Sequence, residues 1–504
     1  MGLSSRLKSW SHELTLFFVY VLFIATLGPL LFGYHLAELN APQQVITCEK
    51  KSITAQKPSS SALGSGLPQC IPMNTTELGL VSSIFTLGGL LGALAAGPLS
   101  AHYGRLLTMR INTVLMALGP FAEALAPNIA VLSIGRLVSG LGAGVSVVVV
   151  PIYISEIAPP KEKGFFGAFT QIMTNMGIFI TQLLGYFLSH GQMWRVILAV
   201  AGVIGLLQFA GLLFSVESPK WMADHGQPRE AKSNLRHMRG HKADIEEEVA
   251  GWRVQNADER HVDEEQTLLQ NSDDEPRTDE TSSSKNKKSE TIGILRVLSD
   301  PNNNRAILAV VVVMMAQQLC GINSIVMYGV SLLSDLLAAN SALLNIFVSI
   351  LNIVATTGFA PLVDVLGRKP CVLGSIAGMG TSSVLLAIGI RSSIPVLSAV
   401  AVLLFVASFA FGLGPVPFIL SSELVGPEAV GATQSWALAA NWISTFVVAQ
   451  FFPMVNEKLG KGVVYFVFAG IAALFFVFVG WYVPETKGKK DADEVWGRTG
   501  RRED

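Results

Sequence analysis

"SEIAPPKEKG" occupies residues 155–164 and "SELVGPEAVG" occupies residues 422–431. Both read S-E-x-x-x-P-x-x-x-G, and their glutamates, Glu156 and Glu423, stand 267 residues apart. Two further matches keep nearly that spacing. "YGR" ends at Arg105 and "LGR" at Arg368, 263 residues on, while "ESPK" starts at Glu217 and "ETKG" at Glu485, 268 residues on. One short match arises easily by chance; three at nearly one offset argue for a duplicated unit. Duplicated helical units are a common way to build a transporter with its site between the halves.

Each of these markers closes an apolar run. A helix of about 20 mostly apolar residues crosses a hydrocarbon core of roughly 30 Å. Such runs fall at 15–40, 77–100, 106–126, 128–154, 165–189 and 194–215, and again at 303–334, 342–363, 370–390, 394–421, 430–454 and 461–483. The composition agrees: half of the 504 residues are apolar and only 14% are charged, with a mean hydropathy of +0.48, too apolar for a soluble globular chain. The first run is too long for a signal-peptide core and lacks a small-residue cleavage site, so it is expected to stay. The sequence therefore predicts an all-α membrane protein with twelve transmembrane helices in two six-helix pseudo-symmetric halves, residues 1–215 and 301–484. A cytosolic linker, 216–300, joins them and a tail, 485–504, follows.

Within the linker, "QPREAKSNLRHMRG" spaces Ala231, Leu235 and Met238 as on one helical face between Pro228 and Gly240, which predicts a short amphipathic helix. A second is expected over 243–254, so that short helices fill about 220–256. From 257 to 290 the chain is acidic, then Ser/Lys-rich, and disorder is expected.

Basic residues set the orientation. The loops after the second, fourth and eighth spans carry Arg105, Lys161 with Lys163, and Arg368 with Lys369, while those after the third and seventh are uncharged. By the positive-inside rule the basic loops and both termini are cytosolic. Cys48 and Cys70 then share the first non-cytoplasmic loop, an oxidising side in secretory-pathway membranes, and are candidates for a disulfide. Asn74-Thr75-Thr76 in the same loop is a glycosylation sequon. Cys320 and Cys371, in or beside helices, are expected to pack as small apolar residues. A net charge of −1 gives no reason to expect nucleic acid. There is no metal-spaced His/Cys cluster, no Gly-rich phosphate loop and no nucleophile elbow, so neither an enzyme nor a metal or cofactor is expected.

"YGR", "GRLVSGLGAG", "PIYISEIAPP", "VESPKW", "QQLCGINSIVMY", "LGRK" and "VPETKG" follow one another along the chain. In this order they resemble the sugar porter family of the major facilitator superfamily, over nearly the whole length. The resemblance implies the major facilitator fold and alternating-access transport of a monosaccharide or polyol. "YHLAELNAP" with the long acidic central loop is similar to fungal vacuolar-type members.

A sugar presents hydroxyls that each donate and accept, so a reversible site calls for neutral amides and hydroxyls beside an aromatic face. Gln317, Gln318 and Asn323 supply amides on the seventh span. Residues six apart on a helix do not share a face, so Gln317 and Asn323 converge only if the helix is distorted, which Gly321 permits. The resemblance adds Gln171, Asn352, Asn441 and Trp442 as sugar-binding positions. Asn175 and Gln182 read instead as interhelical contacts. In "FAFGLGPVPFIL" the chain has Ala410 where glucose-transporting relatives often carry Glu, and Phe418, retained as a candidate aromatic, where they carry Trp. Thr445 stands where Asn is frequent. A hexose other than glucose, or a polyol, is therefore open as substrate.

The repeated markers suggest gates. Arg105 with Glu156 and Glu217, and Arg368 with Glu423 and Glu485, can form charge clusters that lock the halves when the cytosolic side closes; the other reading is helix-end solvation, worth about 0 to 1 kcal/mol per exposed pair. Lys163, where the family usually has Arg, is counted with the first cluster. For coupling, the residue after "GY" is commonly Asp in proton-coupled relatives and Asn in facilitative ones; here it is His35, with Glu38 on the same helical face and Arg136 as the matching cation. Intramembrane ionisable groups point to function, so these three are candidates for proton coupling, and uniport and proton-coupled transport both stay open. A sugar sensor that binds without transporting is the alternative; the family's sensors tend to have long C-terminal tails, unlike residues 485–504. Glu264 with Leu268 and Leu269 resembles an acidic dileucine signal that a sorting adaptor would read, against a plain acidic tether. The expected setting is a vacuolar or lysosome-like membrane, or the plasma membrane, with the chain a monomer.

Overall fold

Thr15 opens the first helix, its hydroxyl accepting the Phe18 amide at 3.2 Å, and Leu16–Ala37 (α1) runs from there. Pro29 inside α1 has no N–H for the Ala25 carbonyl; Gln208 donates instead to the carbonyls of Ile24 and Ala25 at 3.3 and 3.4 Å. The computed structural model describes residues 15–52, 66–240, 245–246, 248–249, 297, 301–337, 340–426, 429–489 and 491–498. The dileucine-like residues Glu264, Leu268 and Leu269 and the acidic stretch 257–290 lie outside the described residues.

The order continues through α2 (Gln43–Ile46), α3 (Thr75–Tyr103), α4 (Arg105–Ala124), α5 (Ile129–Ile157), α6 (Lys163–Leu188) and α7 (Trp194–Leu213). The linker begins with α8 (Pro219–Asp224) and α9 (Pro228–Arg239). The second half comprises α10 (Pro301–Leu319), α11 (Ile322–Leu337), α12 (Asn340–Leu366), α13 (Arg368–Arg391), α14 (Pro395–Phe411), α15 (Val416–Glu423), α16 (Val430–Leu459) and α17 (Val464–Tyr482), before the short α18 (Ala492–Val495). Ten spans are long and apolar enough to cross a membrane, with α10–α11 and α14–α15 each counted as one. The more polar α4 and α6, of 20 and 26 residues, complete six membrane-length crossings in each half. The protein is a multi-pass membrane protein.

Two crossings are broken. α10 stops at Leu319 and α11 starts at Ile322, with Gly321 between them at φ +100°, in the left-handed region that glycine tolerates. The α14–α15 break at Gly412–Pro415 was not foreseen in the span 394–421. There Gly412 approaches α13 so closely that a Cβ would lie 2.1 Å from the Cys371 carbonyl oxygen.

Small residues let the helices of the first half meet backbone to backbone: a Cβ at Gly140 of α5 would lie 2.1 Å from the Phe85 carbonyl of α3. Between the halves, α3 packs along α16 and α6 along α12. The amphipathic α9 buries Ala231, Leu235 and Met238, and Thr15 donates to the His237 and Met238 carbonyls at 2.9 and 3.0 Å. Of the helix expected over 243–254, the described Ile245 and Val249 are buried with Leu235.

Candidate substrate path and its gates

The break at Gly321 brings the amides of the seventh crossing together. Asn323 Nδ2 donates to Gln318 Oε1 at 2.6 Å, and Gln318 Nε2 donates to Gln317 Oε1 at 3.0 Å. Gln317 Oε1 also accepts from Asn441 Nδ2 at 2.5 Å, while its Nε2 donates to the Leu413 and Gly414 carbonyls at 2.6 and 3.0 Å. The second helix break thus supplies the acceptors that hold the first. Thr445 joins through Asn323 Nδ2 at 3.4 Å. Phe418 is exposed on α15, and among the described residues no hydrogen bond or ring contact joins it to this cluster.

A second set of amides spans the halves. Gln171 donates to Asn175 Oδ1 at 3.2 Å, and Asn352 of the other half donates to the same oxygen at 3.4 Å. Asn175 in turn donates to Thr356 at 3.3 Å. Trp442 inserts into the first half, edge-on to Phe32 and Phe85 with ring centroids 5.7 and 6.4 Å away, over Gly89, whose Cβ would lie 2.3 Å from the indole.

The end of the molecule that carries the disulfide is fastened across the halves. Asn40 Nδ2 donates to the Val326 carbonyl at 2.8 Å and to Asn345 Oδ1 at 3.3 Å, and its Oδ1 accepts the Val330 amide at 2.9 Å. Gln44 donates to Ser334 at 2.9 Å, Ser331 to Gln43 at 3.1 Å and Ser83 to Gln450 at 2.7 Å. Beside this clasp Cys48 and Cys70 are joined, their Cα atoms 5.3 Å apart. Asn74 caps α3, accepting the Glu77 amide at 2.8 Å, while Glu77 accepts the Asn74 amide at 2.8 Å. This capping box was missed beneath the sequon reading. Cys320 and Cys371 are free and buried.

At the basic-loop end each cluster stays inside its half. Arg105 donates to both oxygens of Glu156 at 2.9 and 2.8 Å, and Glu217 accepts the amides of Arg105 and Leu106 at 3.0 and 2.9 Å. Arg368 likewise reaches Glu423 at 2.9 Å, and Glu485 accepts the amides of Arg368 and Lys369 at 2.9 and 3.1 Å. Glu217 and Glu485 therefore cap the N-termini of α4 and α13, where the helix dipole favours an anion. Burial holds the Glu217 carboxyl above the usual carboxylate range, against these amides and Arg105. Lys163 is exposed and joins no ion pair among the described residues. In this state the pairs Arg105–Glu156 and Arg368–Glu423 each close within one half.

Below the clasp sits an ionic cluster. His35, Glu38 and Arg136 are no more than 1% exposed. His35 Nδ1 lies 3.0 Å from both Glu38 oxygens; Arg136 donates to Glu38 Oε1 and, at 3.0 Å, to the His35 carbonyl. A fourth member, Glu123, is fully buried, accepts from Ser139 at 2.5 Å and lies 4.0 Å from Arg136. Sequence reasoning passed over it although a carboxylate inside the third apolar run was the signal. The Arg136 guanidinium also stacks on Phe85, 4.5 Å from the ring centroid, so this cluster and Trp442 share one aromatic wall.

Against known proteins, the family described as "Sugar (and other) transporter" matches residues 21–495, and the chain belongs to that family. It is 32% identical to a probable metabolite transport protein of Saccharomyces cerevisiae over 94% of this chain and 93% of the relative. It is equally 32% identical to vacuolar protein sorting-associated protein 73 of the same yeast, over 94% and 95% of the two chains. Among solved structures, the xylose transporter XylE from E. coli in a partially occluded inward-open conformation superposes with a TM-score of 0.73 at 23% identity, covering 94% of this chain and all of the other. The fold is that of the major facilitator superfamily.

Proposed function

We propose that this protein moves a neutral polyhydroxylated solute, a monosaccharide or polyol, across its membrane by alternating access, with the cluster of His35, Glu38 and Arg136 coupling the movement to protons. The observation that carries the reading is the asymmetry of fastening. The hydrogen bonds of Asn40, Gln44 and Ser83 across the halves lie at the disulfide end and that of Asn175 at the centre, which supports a path that faces the basic-loop end. Gln317, Gln318, Asn323 and Asn441, with Gln171 and Asn352 from the central bridge, are the groups that bind solute. Each amide–hydroxyl bond made in place of bonds to water contributes only about 0.5–1.5 kcal/mol net, and a few of these reach about the −4 kcal/mol of millimolar binding. Weak binding of this kind suits release on the far side.

The basic-loop end and both termini are assigned to the cytosol by loop charge. The yeast relative named for vacuolar protein sorting supports a vacuolar membrane. The test is a thermal-stabilisation screen of the purified protein over hexoses, pentoses and polyols, followed by counterflow of the stabilising solute in liposomes. Stabilisation with counterflow is expected. Stabilisation without movement would make the protein a sensor, and neither effect with any of these solutes would refute the reading.

A further inference from the structure

Four ionisable side chains meet where water does not reach, and their charges do not cancel. Arg136 contributes one positive charge and the carboxylates of Glu38 and Glu123 two negative charges, all no more than 1% exposed; His35 is taken as neutral, because its Nδ1 faces Glu38 while its Nε2 is buried with no acceptor for a second proton. Glu38 is fully engaged: Arg136 and His35 both address its oxygens. Glu123 is not. Its Oε1 accepts from Ser139, but its Oε2 is buried with no hydrogen-bond partner. That second carboxyl stands beside the first: one nitrogen or oxygen atom from each of His35, Glu38 and Glu123 falls within 4.8 Å of the others. Two facing carboxylates in a dry site cannot both stay ionised without a further positive charge.

We propose that Glu38 and Glu123 form a proton-sharing carboxyl pair, in which Glu123 carries the proton and donates it through Oε2 toward Glu38 while the halves are closed at the disulfide end. This deepens the proposed function, and rests on its alternating-access reading. With the proton in place the cluster is neutral, and Glu123 has a partner for each oxygen. The other charged and titratable groups nearby are otherwise engaged: the Tyr34 hydroxyl donates to the Ile197 carbonyl and the Tyr328 hydroxyl to the Ala449 carbonyl. Arg195 is spent on the carbonyls of Ala124, Ala126 and Pro68.

Glu38 lies two residues before Asn40, the main bridge of the clasp, so charge in the pair acts on the element that closes this end. Opening at the disulfide end admits water, the Glu123 O–H bond breaks, and the proton leaves to that water; the cluster goes from neutral to a net −1. Reclosing requires the proton back. An acidic compartment at that end therefore loads the pair and favours closure.

The test needs no solute. Val330, buried at the clasp against Ala41 and Ala342, is replaced by Cys, and the rate of labelling by a bulky maleimide is measured in purified protein across a pH series, for Val330→Cys alone and with Glu123→Gln. The ratio of the two rates at one pH cancels the reactivity of the thiolate itself. It is expected to rise by up to about tenfold per pH unit as the pair deprotonates, with a protonated-carboxyl infrared band present in the parent and lost in Glu123→Gln. A flat ratio, or an infrared band unchanged in Glu123→Gln, overturns the proposal. So does a labelling rate that follows sodium or divalent-cation concentration at fixed pH. If position 330 is never labelled under any condition, it is alternating access itself that fails.

Discussion

Gly89→Ala should drive the halves apart at the disulfide end. The added Cβ would lie 2.3 Å from Cη2 and Cζ3 of Trp442, more than 1 Å inside ordinary carbon contact of about 3.5 Å. The indole has little room to yield, because Phe32 and Phe85 flank it and Phe85 is itself held beneath the Arg136 guanidinium. Overpacking of this kind costs about 1–3 kcal/mol. The cost falls only on the state in which α3 and α16 touch, so a central value of about 2 kcal/mol moves the open-to-closed ratio by roughly 30-fold. The assay is maleimide labelling of Val330→Cys, which should accelerate by about that factor. Trp442→Phe, which removes the atoms the new methyl meets, should return the rate toward the parent. A labelling rate unchanged in folded Gly89→Ala refutes the claim that Trp442 closes the contact. A raised rate that Trp442→Phe does not rescue, with a lower melting temperature, would place the damage inside the first half instead.

Replacing Cys48 and Cys70 by Ser releases a loop closed over a separation of 22 residues, worth about 3 kcal/mol of chain entropy in the unfolded state; a lower melting temperature, reproduced in the parent by reductant, is expected, and an unchanged one refutes the linkage. Burial raises the Glu217 carboxyl above the ordinary carboxylate range, so the folded chain binds that proton more tightly than the unfolded one and stability falls as pH rises between the ordinary and the raised values. Melting curves over that interval should lose this slope in Glu217→Gln, and an identical slope in both proteins would refute it.

What could be read from the sequence follows from what the bilayer imposes locally. Membrane thickness sets a minimum run length, so α3 and α13, described at Thr75–Tyr103 and Arg368–Arg391, lie close to the runs at 77–100 and 370–390. The bend at Gly321 was legible because two amides six residues apart demand it. The break at Gly412–Pro415 was equally marked by its residues, yet no pair of side chains there required convergence, and the span read as continuous. Asn40 and the seat of Trp442 were not legible in this way, and Glu123, visible as a carboxylate in an apolar run, gave no sign of its partners. Each acts through partners from distant segments, as Asn40 does with Val326, Val330 and Asn345, and a single polar residue in an apolar run leaves no periodic trace of its partner.

The duplicated markers separate two jobs that the sequence had merged. Glu217 and Glu485 accept amides at the start of the helix that follows "YGR" and "LGR", and the neighbouring Gly104 and Gly367 both have positive φ, +89° and +102°. A Cβ at either glycine would strike the same carboxylate, 2.5 Å away in one half and 2.7 Å in the other. The motif is thus a helix start built around a half-buried anion, and this local role accounts for its presence in both halves. The contacts that can report which end is open are the unrepeated ones: the Asn40 clasp, the indole over Gly89, and the carboxyl pair beneath them. Internal symmetry in the chain marks what must stay rigid within each half, and its failures mark what distinguishes one end of the path from the other.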